Sequence, residues 1–488
     1  MTTITRDEVS PAERSLQELR DRLRKLNVHE LDALKVEEEI RGHLDALGRE
    51  LMMEVFSRAD IDDQEVRING ILHGRVDRHR AKIHTTFGVV ETERTTYRHD
   101  RRSPTIAPFD KLVGIVESFY TPKCAKILCR LPALLVREDI AAVVSEFGGI
   151  AVGAATMHRL PQAVMARYEE RRSLIERTVR ERTTVPEDAV YMQGGLDGVM
   201  VPQEGEHCKP RGRTPSDDPA PPRWVRKYGE VTAPGPAAKD GHLDRSWHEA
   251  SVGTVAYFNA DGEHLHTHYL GRMPEANKAT LAVMLEKELG HALAVRPDLV
   301  PILASDGAQG QWSILEGIRS RMPELARERT VELIDFFHVA EHLQDAADAI
   351  DGEGSAEAKV RRAAWCETLK VHDNGVEKVI QALRHQRRIA TKERVRDEID
   401  AVIGYMLNNR SRMAFRAAIK RNMPIATGPT EAAAKSLVGV RMKRSGARFS
   451  QHGGQTILTL LAAHKSGRFD DLFDVVAETY AAPVKCAA

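Results

Sequence analysis

Two acids near the middle of the chain sit on apolar runs. Asp197 lies inside AVYMQGGLDGVMV (189–201), and Asp306 directly follows PILAS within LVPILASDGA (299–308). An acid at the end of a hydrophobic strand is poor packing and good chemistry, because open α/β sheets bind ligands beyond their strand ends. Each acid precedes a glycine, Gly198 or Gly307, which would let backbone and side chain approach a ligand closely. A third acid, Glu431, stands in TGPTEAAAKSLVGVRMKRSGARFS. Pro429 suits a first helical turn and Thr430 a cap, so Glu431 falls at a helix start. Around it, residues 405–470 hold twelve Lys/Arg against Glu431 and Asp470, a local charge of 12 − 2 = +10. A lone acid in so basic a segment suggests a metal ligand beside a polyanion. Phosphodiester cleavage uses hard cations held by oxygen ligands. Two such ions activate the attacking oxygen and stabilise the leaving one.

Other constellations compete. His338-Val339-Ala340-Glu341-His342 matches H-x-x-E-H, the inverted zinc-peptidase pattern, with both histidines on one helical face and Glu341 as base. It directly follows an apolar run, VELIDFF, and no third ligand stands out downstream. Asp335, at the end of that run, is an alternative third ligand to Glu431. Trp312 in GAQGQW suits either base stacking or a hydrogen-bonded core position. Cys124 and Cys129 are five apart on a helical pattern, which suits buried small residues better than one metal. His264, His266 and His268 alternate along one strand face, without an acid or cysteine among them, as solvated or structural groups.

The elements that must position these residues follow from periodicity. Residues 12–56 read as helices: Leu16, Leu19, Leu23 and Leu26 share one face, and Leu44, Leu47, Leu51 and Val55 another, as a packed pair or a dimerising coiled coil. Residues 66–98 alternate as a hairpin turning at Gly88, decorated by Arg75, Arg78, Arg80, Lys82, Arg94 and Arg98, for tracking phosphates or facing solvent. Residues 137–170 read as helix, Gly148–Gly149, helix, a helix-turn-helix pattern interrupted by Pro161. An α/β region then begins with the Asp197 strand. A Pro/Gly-rich surface loop (204–246) and a hairpin (251–271) turning at Ala260-Asp261-Gly262 follow. A helix (275–293), the Asp306 strand, a helix (310–321) and the strand 331–337 complete it. Three strands followed by strand, helix, strand is the element sequence of an RNase H-like mixed sheet. A helical stretch (338–422) separates it from the basic segment (423–475).

Length, 488 residues, implies two or three domains. These are expected at 1–60 (helical), 61–185 (DNA-binding region with the basic hairpin and helix-turn-helix) and 186–475 (catalytic, with the loop 204–250 and the helical stretch inserted), with 476–488 as a tail. The 42% hydrophobic and 29% charged content is that of a soluble protein. The 71 basic and 71 acidic residues cancel, so any nucleic-acid binding must rest on local patches. The five cysteines form no C-x-x-C pair or regular framework, which suits a reducing cytosol. No eighteen-residue apolar run or signal-like start appears, so the expectation is a cytoplasmic protein without a membrane span.

LDGVMV, ASDGAQGQW, IDFFHVAEHL and GPTEAAAKSLVGVRMKRSGARFS with its tail KSGRFD resemble the ISKra-type insertion-sequence transposases of the DDE group, in order from about residue 140 to 475. The resemblance implies an RNase H-like catalytic domain with a helical insertion before the helix bearing the last acid. Its two aspartates and glutamate map onto Asp197, Asp306 and Glu431, which would hold two Mg²⁺ or Mn²⁺ ions. The implied reaction is hydrolysis at the element's end to free a 3′-hydroxyl, then attack of that hydroxyl on target DNA. Arg441, Lys443, Arg444 and Arg448 would contact backbone phosphates. A homo-oligomer acting on transposon-end and target DNA is the expected assembly. Relatives commonly carry a cysteine-rich, zinc-ribbon-like element before the catalytic domain; residues 60–110 contain no cysteine, so no structural zinc is expected. The alternatives are the zinc peptidase and a transposase-derived DNA-binding protein without activity.

Overall fold

The computed structural model describes residues 10–25, 32–147, 150, 153–204, 245–326, 328–444, 447 and 449–486. The chain divides into two compact units, Met1–Val179 with Phe469–Ala488, and Arg180–Arg468. The first unit therefore takes back residues 469–488, which the sequence reading divided between the catalytic domain and a tail.

In the first unit, helices α1 (Pro11–Arg24) and α2 (Ala33–Ala59) pack as a pair, joined by Ser15 Oγ–His43 Nδ1 (2.8 Å) and by the Ala12 N–H donating to Glu50 (3.0 Å). The pair leaves Leu44, Leu51 and Val55 of the second apolar stripe exposed. Strands β1 (Glu65–Ile68), β2 (Ile71–Thr85) and β3 (Gly88–Arg98) follow, with β2 and β3 forming the long hairpin. Gly88 opens β3 at φ +118°, which only glycine adopts readily. Helices α3 (Pro108–Val113), α4 (Pro122–Leu134), α5 (Arg137–Phe147), α6 (Ala154–Glu170) and α7 (Arg172–Arg182) come next. Ile140, Val144 and Met157 form a small core with Leu131 and Leu135, which holds α5 and α6 against the end of α4. Pro161 lies within α6 without ending it; Gly148–Gly149 lie outside the described residues.

The second unit is built on one five-stranded sheet. Its strands are β4 (Tyr191–Glu204), β5 (Arg245–Phe258), β6 (His264–Arg272), β7 (Val300–Ser305) and β8 (Val331–Ile334), in the order β6-β5-β4-β7-β8. The β6–β5 and β5–β4 pairings are antiparallel, and β4–β7 and β7–β8 parallel. β5 begins at Arg245, earlier than the expected hairpin start at 251, because it pairs with β4 along its whole length; residues 205–244 lie outside the described part. Gly262 takes φ +79° in the hairpin turn.

Strand alternation gives the sheet two apolar faces. On one, Met192, Leu196, Val255 and Leu303 pack under α8 (Ala279–Val295) and α9 (Gln309–Arg321). On the other, Tyr191, Ala256, Ile302 and Leu333 meet Ala418 and Met423. The helical insertion, α10 (Phe336–Asp351), α11 (Ala356–Val371), α12 (Gly375–Ile389), α13 (Glu393–Asn409) and α14 (Phe415–Ile419), has its own core of Val339, Leu343, Leu369, Leu383, Met406 and Phe415. The strand read as 331–337 stops at Ile334, since Asp335 caps α10 and turns Phe336 and Phe337 into its first turn. The chain continues through α15 (Gly428–Ala433), a π-helical turn (Ala434–Gly439), α16 (Val440–Met442) and α17 (Gln451–Lys465), which packs on β6. Finally α18 (Phe469–Glu478) and β9 (Val484–Cys486) rejoin the first unit, where β9 pairs antiparallel with β1.

Candidate active site

The parallel β4–β7 register ends at Gly195↔Ala304, so Asp197 and Asp306, each two residues further on, emerge side by side. Burial holds the Asp197 carboxyl above the usual carboxylate range. A hydrogen bond from the Gly198 N–H (2.7 Å) opposes this, the Asp306 charge adds to it, and Lys278 and Glu249 act in opposite senses. Two neighbouring carboxylates of this kind invite a cation.

Asp306 is fixed by its own turn. Its Oδ1 accepts from the Ala308 N–H (3.0 Å), and the Trp312 indole N–H donates to its carbonyl (2.8 Å). Trp312 is buried with the Arg412 guanidinium 3.9 Å over its ring, so it is a core residue and not a stacking platform. In the orientation that satisfies both ends of its amide, buried Gln311 donates to Leu196 O (2.8 Å) and to Asp306 Oδ1 (3.0 Å). One side chain thus ties the residue before Asp197 to Asp306.

The two glycines do not leave room for a ligand, as the sequence suggested. A Cβ at Gly307 would overlap the Tyr405 ring, and one at Gly198 would overlap the Glu249 carboxylate, which Lys278 holds at 3.1 Å. Lys278 and the residue before it, Asn277, both take positive φ (+51° and +54°), a strained pair at the start of α8.

Glu431 is carried to the Asp197 face by a series of anchors along β4. The Tyr191 hydroxyl donates to Arg421 O, Gln193 Nε2 donates to Ala426 O (3.1 Å), and Thr430 Oγ1 meets Thr254 Oγ1 (2.6 Å) above Gly195. These residues alternate with Asp197 on the same strand face. Asp335 completes the docking: one carboxylate oxygen accepts from the N–H groups of Phe337 and His338, the other from the backbone and hydroxyl of Thr427. Fully used in this way, Asp335 is a clamp and not a third ligand. The Glu431 side chain is 60% exposed and pairs with Lys435 at 2.6 Å. Among the described residues no three His, Cys, Asp or Glu side chains converge on a possible metal position. The structure thus joins Asp197 and Asp306, and brings Glu431 to their face of the sheet without turning it to them.

The H-x-x-E-H residues lie at the start of α10. His338 Nδ1 contacts Glu341 (3.3 Å), and His342 packs on Tyr405 with ring centroids 3.9 Å apart. Burial lowers the His342 pKa, with His338 adding to the effect. The Tyr405 hydroxyl is buried without a hydrogen-bond partner among the described residues; burial raises its pKa, with Asp306, Asp335 and Glu341 adding to it. Neither Tyr405, Lys278 nor Glu249 carried a signal in the sequence. Gln311 lay inside the GAQGQW motif, where its spacing from Asp306 was the available clue.

The basic residues divide. Arg412 pairs with Glu316 and Glu332, Arg416 and Lys420 with Asp373, Lys435 with Glu431, and Arg468 with Glu288. Four acids distant in sequence, Glu288, Glu316, Glu332 and Asp373, therefore offset part of the local +10, while the Lys435–Glu431 pair is local. Lys443 and Arg444 are exposed and stand in no ion pair among the described residues, while Arg441 is half-buried and Arg448 lies outside them. On the first-unit hairpin, Arg75 and Arg78 pair with Asp60 and Asp62, Arg80 with Glu93, Lys82 with Glu91 and Arg94 with Asp110. Cys124 and Cys129 are buried free thiols, with Cys124 pushed up to about 12 by burial. His268 is buried rather than solvated, and burial, then Arg468, pushes it down to about 2. Compared with known proteins, the chain matches no protein-family model and no curated protein.

Proposed function

We propose that the second unit is an RNase H-like catalytic domain of a DDE-type transposase, which cuts and joins DNA at insertion-sequence ends. The observation that carries the reading is the Asp197–Asp306 pair on adjacent parallel strands of the β6-β5-β4-β7-β8 sheet, with only β5 running against the others. The docking of the Glu431 helix on the same face supports it. Asp197 and Asp306 fit a hard divalent cation, as neighbouring carboxylates whose mutual charge a cation relieves. Glu431 would join them only after leaving Lys435. Mg²⁺ or Mn²⁺ there would activate the attacking oxygen and stabilise the leaving one. Lys443 and Arg444, with Arg441 and Arg448, would bind backbone phosphates, and α5–α6 would supply a helix-turn-helix. We place the protein in the cytoplasm as a homo-oligomer; among the described residues no helix is long and apolar enough to cross a membrane.

The test is strand cleavage and joining on DNA carrying the element's own ends, with Mg²⁺ or Mn²⁺, by wild type, Asp197→Ala and Asp306→Ala. One observation favours a second reading, a DNA-binding protein without activity: Glu431 is held by Lys435 and not by the aspartate pair. End-specific binding without cleavage in either metal would select that reading.

A further inference from the structure

We propose that Tyr405, from the helical insertion, donates a hydrogen bond to a non-bridging oxygen of the phosphate held at Asp197 and Asp306. The insertion would then complete the active site rather than merely separate its parts. The inference rests on the function proposed above. Three observations carry it.

First, Tyr405 lies directly on the Asp306–Gly307 turn. A Cβ at position 307 would overlap its ring and stand 3.0 Å from its hydroxyl oxygen, so only glycine permits the approach. Second, that hydroxyl is buried and has no partner among the described residues. A buried phenol normally finds an acceptor, and one left without it is costly to the fold. Third, the ring is held from behind. His342 packs on it at 3.9 Å and His338 lies at 6.1 Å, on a helix whose first turn is fixed by Asp335.

Asp306 does not accept from the phenol among the described residues. Its Oδ1 is already occupied by the Ala308 N–H and by Gln311. A donor placed beside Asp306 and lacking an acceptor is suited to an oxygen of a phosphate that a cation held by the carboxylate pair would recruit. Because the hydroxyl has no solvent contact, the half-buried Asp306–Gly307 turn must shift when the phosphate enters.

Tyr405→Phe removes the hydroxyl and keeps the ring. Its melting temperature should equal or exceed that of wild type; a fall would reveal a structural partner and overturn the proposal. In protein labelled with ¹³Cζ-tyrosine, the resonance missing from Tyr405→Phe identifies Tyr405. That resonance should move when end DNA is added with Ca²⁺, and a resonance that stays put while DNA binds overturns the proposal. In cleavage with Mn²⁺, kcat should fall about 10²–10³-fold, as for loss of one oxyanion donor, with KM within about twofold. The loss should shrink toward unity for the one phosphorothioate diastereomer whose sulfur replaces the contacted oxygen. Equal losses on both diastereomers, or full activity of Tyr405→Phe where Asp306→Ala is dead, sink the role of Tyr405 and leave the transposase reading standing. Failure of wild type to bind or cleave DNA removes that reading, and this proposal with it.

Discussion

Gly195 lies directly beneath Thr430, whose hydroxyl fills the space a Cβ at position 195 would take and bonds to Thr254 at 2.6 Å. The strand bearing Asp197 and the helix bearing Glu431 are therefore in contact through a glycine two residues from one acid and a threonine adjacent to the other. Gly195→Ala should displace the helix and cost about 1–3 kcal/mol by overpacking. Denaturant melts would measure the loss. Undiminished stability together with wild-type cleavage would show that helix and strand need not meet this closely.

The carboxylate pair makes two separable claims. If the proposed function holds, Asp197→Ala and Asp306→Ala should abolish cleavage with Mg²⁺ or Mn²⁺ and leave DNA affinity nearly intact, since on that reading the acids serve chemistry and not attachment. In metal-free protein, Asp306→Asn should also stabilise the fold slightly, because burial chiefly, and the Asp306 charge in addition, hold the Asp197 carboxyl up. Adding Mg²⁺ should raise the melting temperature of wild type more than that of Asp306→Asn. Equal metal responses would take Asp306 out of the metal site.

Acid stability should depend on His268. Its folded pKa, about 2, lies below the unfolded value near 6.5, so the unfolded chain binds the extra proton first. The sign is therefore destabilising on acidification: stability is intact above pH 6.5 and declines as pH falls below it. This one group contributes a slope of at most about 1.4 kcal/mol per pH unit. His268→Phe should flatten the decline between pH 6.5 and 5. An unaltered slope would assign the acid sensitivity elsewhere.

The ion pairs separate basic residues held by acids from exposed ones, and on the proposed function only the exposed ones would meet DNA. Lys443→Ala and Arg444→Ala should weaken binding equally on any sequence, each flattening the dependence of log K on log salt by about 0.9. Arg416→Ala and Lys420→Ala, which lose contacts to Asp373, should leave that slope alone and lower stability modestly, by at most about 1 kcal/mol. The reverse pattern would move the DNA-binding surface.

His342→Ala is expected to leave the metal content of the purified protein unchanged and to loosen Tyr405, on which His342 packs. Stoichiometric zinc that disappears in this variant would restore the peptidase interpretation of H-x-x-E-H.

Local pattern carried a large part of the architecture. Alternating apolar residues marked the strands that present Asp197 and Asp306, and Ala260-Asp261-Gly262 marked a hairpin turn. Long-range pairing was what the sequence hid. Arg412 looked like one more basic residue around Glu431, yet its acidic partners are Glu316 and Glu332, 96 and 80 positions away. Gly198 and Gly307 announced close approach correctly and the approaching group wrongly, because the neighbours are Glu249 and Tyr405. VELIDFF overran its strand because Asp335, an apparent candidate ligand, is a helix cap. Tyr405 had no local signature, since its importance comes only from what the helical insertion packs against.

The return of β9 to β1 has a consequence during synthesis. The first unit cannot finish its sheet until residues 484–486 leave the ribosome, after all of 180–468 have been made. At bacterial to eukaryotic elongation rates of about 5–20 residues per second, that interval lasts roughly 15–60 s. Throughout it the outer edge of β1 offers unpaired backbone groups, and such an edge is a template for wrong partners. The second unit, contiguous in sequence, has no such wait. On the nascent chain, Val66–Ile68 therefore remains an open strand edge for that interval.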